Sequence, residues 1–283
     1  STQASCLNIE AGKLWKKAGV KRLVLGREVS IESAKRIKSE TGLEIEMFVH
    51  GSMCIAYSGN CVISNYTSGR DSNRGGCAHS CRFNYNLKFK DKDVNSFFMS
   101  SKDLSGIHLL NQYKEAGIDS LKVEGRMKSF LYVATISKVY ADALQELKID
   151  GTLNNNYISE LKKVSHREYT EANLVKPAGE ESIYSLRENE IQEYCLVGMV
   201  IEIVENKFII LEVRSAFNEG DNLEILPFKR KGDAFPIQVD RMYTLTGEAE
   251  TRTRPGSLVK IPYVPNVEVM NIVRKKLVGI SCN

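Results

Sequence analysis

The chain has 283 residues, 42% hydrophobic and 26% charged, proportions that suit a soluble globular protein of one large or two ordinary domains. No apolar run approaches the ~20 residues that a membrane-spanning helix needs, so a helical integral membrane protein is excluded. The net charge of +4 is too small to establish a nucleic-acid partner, so the distribution of the basic residues carries more information.

Taken in chain order, the first 150 residues alternate between strand and helix signals. Val20–Glu28 is predicted as a strand, followed by a helix entered at Ser30, a good N-cap. Leu43–Gly51 is the next strand and leads into a Cys-rich stretch. Phe97–Ser101 is expected to precede a helix near Ser105–Ala116, with Gly117 as its stop. Leu121–Glu124 then feeds a helix capped by Ser129. In it, Val133, Ile136, Tyr140, Ala143 and Leu147 recur at 3-4-3-4 spacing, the core stripe of an amphipathic helix. Repeated βα units imply a parallel sheet, and about four or five strands fall short of the eight in a closed barrel.

The expected fold class is therefore α/β. Residues 1–150 form a partial (β/α)8-type barrel with the Cys-rich loop at 51–95, and residues 151–192 form a polar connector. Residues 193–283 form a small all-β barrel or sandwich, with strands expected at 196–204, 207–213, 221–227, 235–243 and 256–264.

Four of the seven cysteines fall within 28 residues, as Cys54-x6-Cys61-x15-Cys77-x3-Cys81. Soft thiolates gathered this way select zinc, copper(I) or an iron–sulfur cluster. The paired C-x2-C knuckles of common zinc ribbons are missing, so the pattern looks more like an iron–sulfur loop. Structural zinc and inert or redox thiols remain the alternatives. Reduced thiolates and the lack of a secretory-type signal fit a cytoplasmic location.

In βα barrels the ligand face lies at the C-terminal ends of the strands, which singles out Arg27, Glu28, His50, Ser101 to Asp103, Glu124, Arg126 and Lys128. Lys122 and Glu124 share one side of their strand and either pair internally or meet a ligand. Arg126 and Lys128 have the chemistry to grip a carboxylate or phosphate. His50 reads as a proton shuttle or substrate contact, or else as a packing residue. His79 is a polar neighbour of the cysteines or an exposed loop residue. Arg70, Arg74 and Arg82 flank the cysteines, Lys229, Arg230 and Lys231 form a run, and Arg252 and Arg254 alternate. Each group alone suits a solvated loop; together they suit an RNA surface.

Three long segments carry a resemblance: EMFVHGSMCIAYSGNCVISNY, the Gly-Gly-Cys77-Ala-His-Ser-Cys81-Arg stretch, and KVEGRMKS. They resemble the collagenase-like peptidase family of unknown catalytic type (peptidase family U, member thirty-two). STQA, GREVS and SNYTSGRDSNRGGC narrow the similarity to its prephenate-dependent tRNA uridine hydroxylase branch. The resemblance covers most of residues 1–150 and, more loosely, the C-terminal part.

It implies an enzyme that hydroxylates the wobble uridine of tRNA, with prephenate as the source of the hydroxyl. Cys54, Cys61, Cys77 and Cys81 would hold a 4Fe–4S cluster. His50 and Glu124 would be catalytic, Arg27, Lys122, Arg126 and Lys128 would bind substrate, and Arg70, Arg74 and Arg82 would contact RNA. The β module would help dock tRNA, no membrane is involved, and homo- or heterodimers stay open. Family members carry a longer region before STQA, so an N-terminal region completing the barrel is expected. Two other functions compete. One is a peptidase, although neither H-E-x-x-H nor G-x-S-x-G occurs. The other is a non-catalytic RNA-binding or assembly subunit.

Overall fold

The computed structural model describes residues 1–153, 156–184, 191–228 and 232–277. The basic run Lys229, Arg230 and Lys231 lies outside the described residues, as does Cys282. The helices are α1 (Ile9–Lys17), α2 (Ile31–Thr41), α3 (Ile63–Ser68), α4 (Leu110–Glu115), α5 (Phe130–Ile149) and α6 (Asn156–Lys162). Strands β1 (Arg22–Val24), β2 (Glu44–Ser52), β3 (Tyr85–Phe89), β4 (Lys92–Ser96), β5 (Asp103–Ser105), β6 (Ser120–Val123) and β7 (Tyr169–Thr170) precede residue 190. Beyond it come β8 (Tyr194–Val204), β9 (Phe208–Val213), β10 (Asn222–Leu226), β11 (Phe235–Gln238), β12 (Met242–Tyr243), β13 (Ala249–Glu250), β14 (Leu258–Pro262) and β15 (Ile272–Lys276).

Two compact units result. The first comprises Ser1–Met127, Ala143–Asn154 and His166–Glu190; the second comprises Lys128–Asp142, Asn155–Ser165 and Ile191–Asn283. No helix among the described residues is long and apolar enough to cross a membrane.

The first unit is built on β2. Ile45, Met47 and Val49 alternate into the core, and Phe48 and His50 on the other side are buried too. Local signals set its flanking elements. The Ser30 hydroxyl accepts the Ser33 N–H at 3.2 Å to start α2, and Gly42, at φ 66°, ends it. β1 and β6 pair with β2 in parallel, in the registers Leu23↔Ile45 and Met47↔Leu121. Tyr113 of α4 donates its hydroxyl to the Phe48 carbonyl at 2.9 Å, pinning helix to strand.

The expected all-parallel sheet is not what forms. β5 runs antiparallel to the end of β2, pairing His50↔Ser105 and Ser52↔Asp103, and β7 continues parallel to β5. A crossover helix is what forces parallel pairing. Here β2 is followed instead by the cysteine loop and the β3–β4 hairpin, which leaves β5 free to return. The strand expected at Phe97–Ser101 is a turn closed by the Ser100 N–H on the Phe97 carbonyl at 3.1 Å. The β3–β4 hairpin was not anticipated, because its Lys- and Asp-rich residues hide the alternation; among described residues it pairs with no other strand. In α5, Ser129 caps the Tyr132 N–H at 3.2 Å and Ile136, Tyr140, Ala143 and Leu147 are buried as expected. Val133 is instead 44% exposed, because burial at that end follows Leu131 and Tyr132.

The second unit is an eight-stranded antiparallel sheet in the order β11-β10-β15-β8-β9-β14-β12-β13, curled around a core that includes Val197, Leu211, Phe217, Ile225, Val259 and Val273. The order is an open path rather than a closed ring, so this is a curled half-barrel. The segment 235–243 divides into β11 and β12, and β15 was not anticipated because Arg274, Lys275 and Lys276 mask it.

Arg274 is fully buried in this unit. Its guanidinium lies 2.8 Å from Glu224 and 2.5 Å from Glu160. Lys163 lies 3.0 Å from Glu160 and 3.4 Å from Glu224, and the Tyr194 hydroxyl donates to Glu224 at 2.9 Å. Two cations thus meet two carboxylates, the condition under which buried charge is tolerated.

Candidate four-cysteine site

The site grows from the adjacent ends of β2 and β6. Gly51 sits at φ 116°, and a Cβ there would collide with the Glu124 carbonyl, so only glycine lets the two chain segments pass. The Glu124 N–H donates to the His50 carbonyl at 2.9 Å. The Glu124 carboxylate accepts from the Ser52 N–H at 3.2 Å and the Arg126 N–H at 3.1 Å, fixing the turn after β6. From that turn Arg126 reaches into the cysteine loop. Its guanidinium donates to the Gly75 carbonyl at 2.6 Å and to the Cys77 carbonyl at 3.2 Å.

The loop is further tied by its own polar residues. Asn73 brackets Cys61, accepting its N–H at 3.1 Å and donating to its carbonyl at 3.0 Å, while an Asx turn at Asp71 holds the Asn73 N–H at 2.9 Å. Arg82 donates to the Met53 carbonyl at 3.2 Å, beside Cys54. Tyr85 donates to the Ser80 carbonyl at 2.7 Å, beside Cys81. Each cysteine therefore stands next to a fixed point.

Cys54, Cys61, Cys77 and Cys81 are all free thiols, and all four line one cavity of about 420 Å³. Burial pushes the thiols of Cys54 and Cys81 up, and the neighbouring thiols add to it; Arg27 opposes the shift at Cys54 and Arg82 at Cys81. His79, at φ 57°, points its N–H at the Cys77 sulfur, 3.4 Å away. The donor set fits a thiolate-held metal group. There are four soft ligands, one N–H···S bond of the kind that tunes such sulfurs, and three arginines (Arg27, Arg82, Arg126) in the wall to offset negative charge. The thiols share the cavity without being drawn to bonding distance: among the described residues no three His, Cys, Asp or Glu side chains form a metal-holding group.

The remaining sequence candidates fall in different places. Lys122 lines the cavity, but its amine pairs with Glu46 at 2.7 Å rather than with Glu124. Burial pushes the Glu46 carboxyl up, and the bonds from Lys122 and Ser120 reverse this and hold it below the usual range. His50 is buried behind the wall, its ring 5.2 Å from that of Tyr169, and does not line the cavity. Lys128 donates to the Ser165 carbonyl at 3.2 Å and is likewise absent from the wall.

Arg70 and Arg74 are exposed, Arg74 lying 3.4 Å from Asp71. Arg82 differs from the surface cation expected for RNA contact. Its side chain is only 9% exposed and lies 4.0 Å from buried Asp103, because the loop folds it inward against Met53. Arg27 stacks on the Phe48 ring at 3.8 Å, and burial lowers its pKa against the raising fields of Glu124, Cys54 and Glu28. Asn73 was missed, whereas Asp103, singled out at a strand end, is buried beside Arg82. The D-x-N turn signal marks Asn73.

An α/β unit carrying a four-cysteine loop at its strand ends, joined in one chain to a curled antiparallel β unit, defines the class of protein. Residues 1–184 match the peptidase family U32 domain and residues 192–274 match the peptidase family U32 C-terminal domain, so the chain belongs to peptidase family U32. It is 35% identical to the tRNA hydroxylation protein P1 of Bacillus subtilis over 97% of this chain and 68% of that protein. It is 28% identical to the Escherichia coli tRNA hydroxylation protein P over 87% of this chain and 68% of that protein. The 23S rRNA 5-hydroxycytidine C2501 synthase of E. coli is 30% identical over 91% of this chain, which spans 40% of its length.

Proposed function

We propose that this chain acts in the hydroxylation of tRNA, as an enzyme. The observation that carries the reading is the convergence of four spaced cysteines and three arginines on one cavity, in a chain similar along 97% of its length to a protein named for tRNA hydroxylation. The finer reading is that the wobble uridine is the target, that prephenate supplies the hydroxyl, and that Cys54, Cys61, Cys77 and Cys81 hold a 4Fe–4S cluster. Such a cluster supplies one-electron chemistry when bound.

The chain's own residues do the rest. Glu124 sets the turn, Arg126 and Asn73 hold the loop, and half-buried Arg27 and the inward-turned Arg82 keep positive charge beside the thiols. Tyr57, 69% exposed in the cavity wall, offers a flat face to an unstacked base, the usual mode of recognising single-stranded RNA. Exposed Arg70 and Arg74 suit phosphate contacts, and a cytoplasmic setting suits both tRNA and reduced thiols.

The test is anaerobic reconstitution with iron and sulfide, metal analysis, and mass spectrometry of nucleosides from tRNA incubated with the protein and prephenate. The expected result is about four irons per chain, lost when any of the four cysteines becomes serine, and a uridine heavier by one oxygen. Stoichiometric zinc without sulfide overturns the cluster. The family name favours a second reading, a peptidase. Cleavage of denatured collagen by the same preparation, with unmodified tRNA, would select it.

A further inference from the structure

A second cavity, of about 570 Å³, lies on the other side of the segment that carries Cys54. It shares Arg27, Met53, Cys54, Tyr57 and Ser58 with the cysteine cavity, and its remaining wall sets the hydroxyls of Ser101, Thr170 and Ser182 beside apolar Ala172 and Ile183. Four cations were candidates for binding an anionic small molecule, and the structure separates them. Arg126 is engaged by two loop carbonyls, Lys122 by Glu46 and Lys128 by the Ser165 carbonyl. Arg27 alone of the four makes no hydrogen bond or ion pair from its guanidinium among the described residues; it is only stacked on Phe48. Stacked on Phe48 and lining both cavities, this half-buried guanidinium keeps its N–H donors free for an acceptor that enters either one.

The surroundings of Arg27 are built rather than loose. Asn73 plays no part here; it is Asn173 that holds this corner, donating to the Arg27 carbonyl at 3.2 Å and accepting the Ala178 N–H at 2.8 Å. Glu28, the nearest acidic wall residue, turns both oxygens onto Ser58, at 2.5 Å to its N–H and 3.0 Å to its hydroxyl. Ala172 in the same wall is held at φ 46°, a conformation that non-glycine residues adopt only when their surroundings impose it. Thr170 and Ser182 face each other at 3.3 Å between hydroxyl oxygens, and Thr170 also accepts the Ala172 N–H at 3.0 Å.

We propose that this second cavity binds a small organic carboxylate, anchored through two parallel bonds from Arg27 and oriented by the hydroxyls of Ser101, Thr170 and Ser182. Resting on the hydroxylation reading above, the ligand would be the oxygen-donating dicarboxylate, held beside Cys54.

The experiment is calorimetric titration of the intact protein with prephenate and, separately, succinate, without tRNA. Arg27→Gln should weaken prephenate binding at least about tenfold, the loss of a charge-assisted bidentate pair. Thr170→Val, which keeps the shape, should weaken it several-fold, roughly the effect of one hydroxyl bond. Arg126→Gln should leave carboxylate binding within about twofold, since its donors are already engaged. If Arg27→Gln folds poorly, Arg27→Lys keeps the charge and should still lose affinity, because an ammonium lacks the planar fork. Wild-type affinity in Arg27→Gln and Thr170→Val overturns the site. So does a loss of iron in Arg27→Gln with carboxylate binding by iron-free protein unchanged, which would make Arg27 a counter-charge to the thiols. Carboxylate binding that depends on Arg27 in a protein that leaves tRNA unmodified would keep the site and sink the hydroxylation reading instead.

Discussion

The β-rich unit and the cysteine loop both bury charge, and they do so in opposite ways. In the β-rich unit Arg274, Lys163, Glu160, Glu224 and Tyr194 close on one another, two cations against two carboxylates with a phenol completing the ring of bonds. Around the cysteine loop Arg27 is half-buried without a hydrogen-bonded acceptor among the described residues, and four free thiols face one cavity without forming a metal-holding group there. A closed network has nothing left to offer a ligand and acts on stability. An open set is stabilised only when something else arrives, which is why perturbed groups mark functional sites.

The comparison breaks first at Arg274. Arg274→Ala leaves the partly buried Glu160 and Glu224 with Lys163 as their only cation among the described residues and should destabilise the β-rich unit by about 2–4 kcal/mol in urea denaturation. A loss under about 1 kcal/mol would mean water already reaches the network. Arg126→Gln should matter less to stability, about 1 kcal/mol, because the side chain is exposed and its carbonyl partners can turn to water. Its effect should be local. Amide exchange across residues 75–77 should quicken and iron retention should fall, whereas unchanged exchange would remove Arg126 from the support of the loop.

The smallest effects are pH dependences of the closed network. Tyr194 is pushed up to about 12 by burial, by the bond it donates to Glu224 and by that carboxylate's charge. An unfolded tyrosine ionises near 10. The contribution of Tyr194 is therefore complete below that pH and lost as pH rises through about 12, so the melting temperature should fall across that interval and Tyr194→Phe should flatten the fall. Burial pushes the Glu160 and Glu224 carboxyls up, but the bonds and charge of Arg274 outweigh it and hold both below the usual glutamate range. Their contribution is present above the ordinary carboxylate pKa and fades only as pH drops through the lowered values. An acid transition centred above the ordinary range would contradict the pairing.

Much of the scaffold was legible in the residues because it rests on local rules. Ser30 and Gly42 bracket α2, Ser129 starts α5, and the alternation of Ile45, Met47 and Val49 marks β2. The masked elements are those whose patterns charge interrupts: β15, carrying Arg274, and the β3–β4 hairpin with its lysines and aspartates. Strand direction is not a local property either. β5 turned antiparallel because no crossover helix precedes it.

For the site, the sequence alone determined the four-cysteine spacing and the set of arginines from which a binding group must come. Composition and spacing state which chemistry is present. The tertiary structure decided what each charge does: Arg126 on loop carbonyls 51 and 49 residues away, Arg82 turned inward toward Asp103, Lys122 on Glu46, and Arg27 left open between two cavities. A guanidinium reaches its partner through space, and whether that partner is backbone, carboxylate or ligand depends on segments that the sequence keeps far apart and only folding brings together.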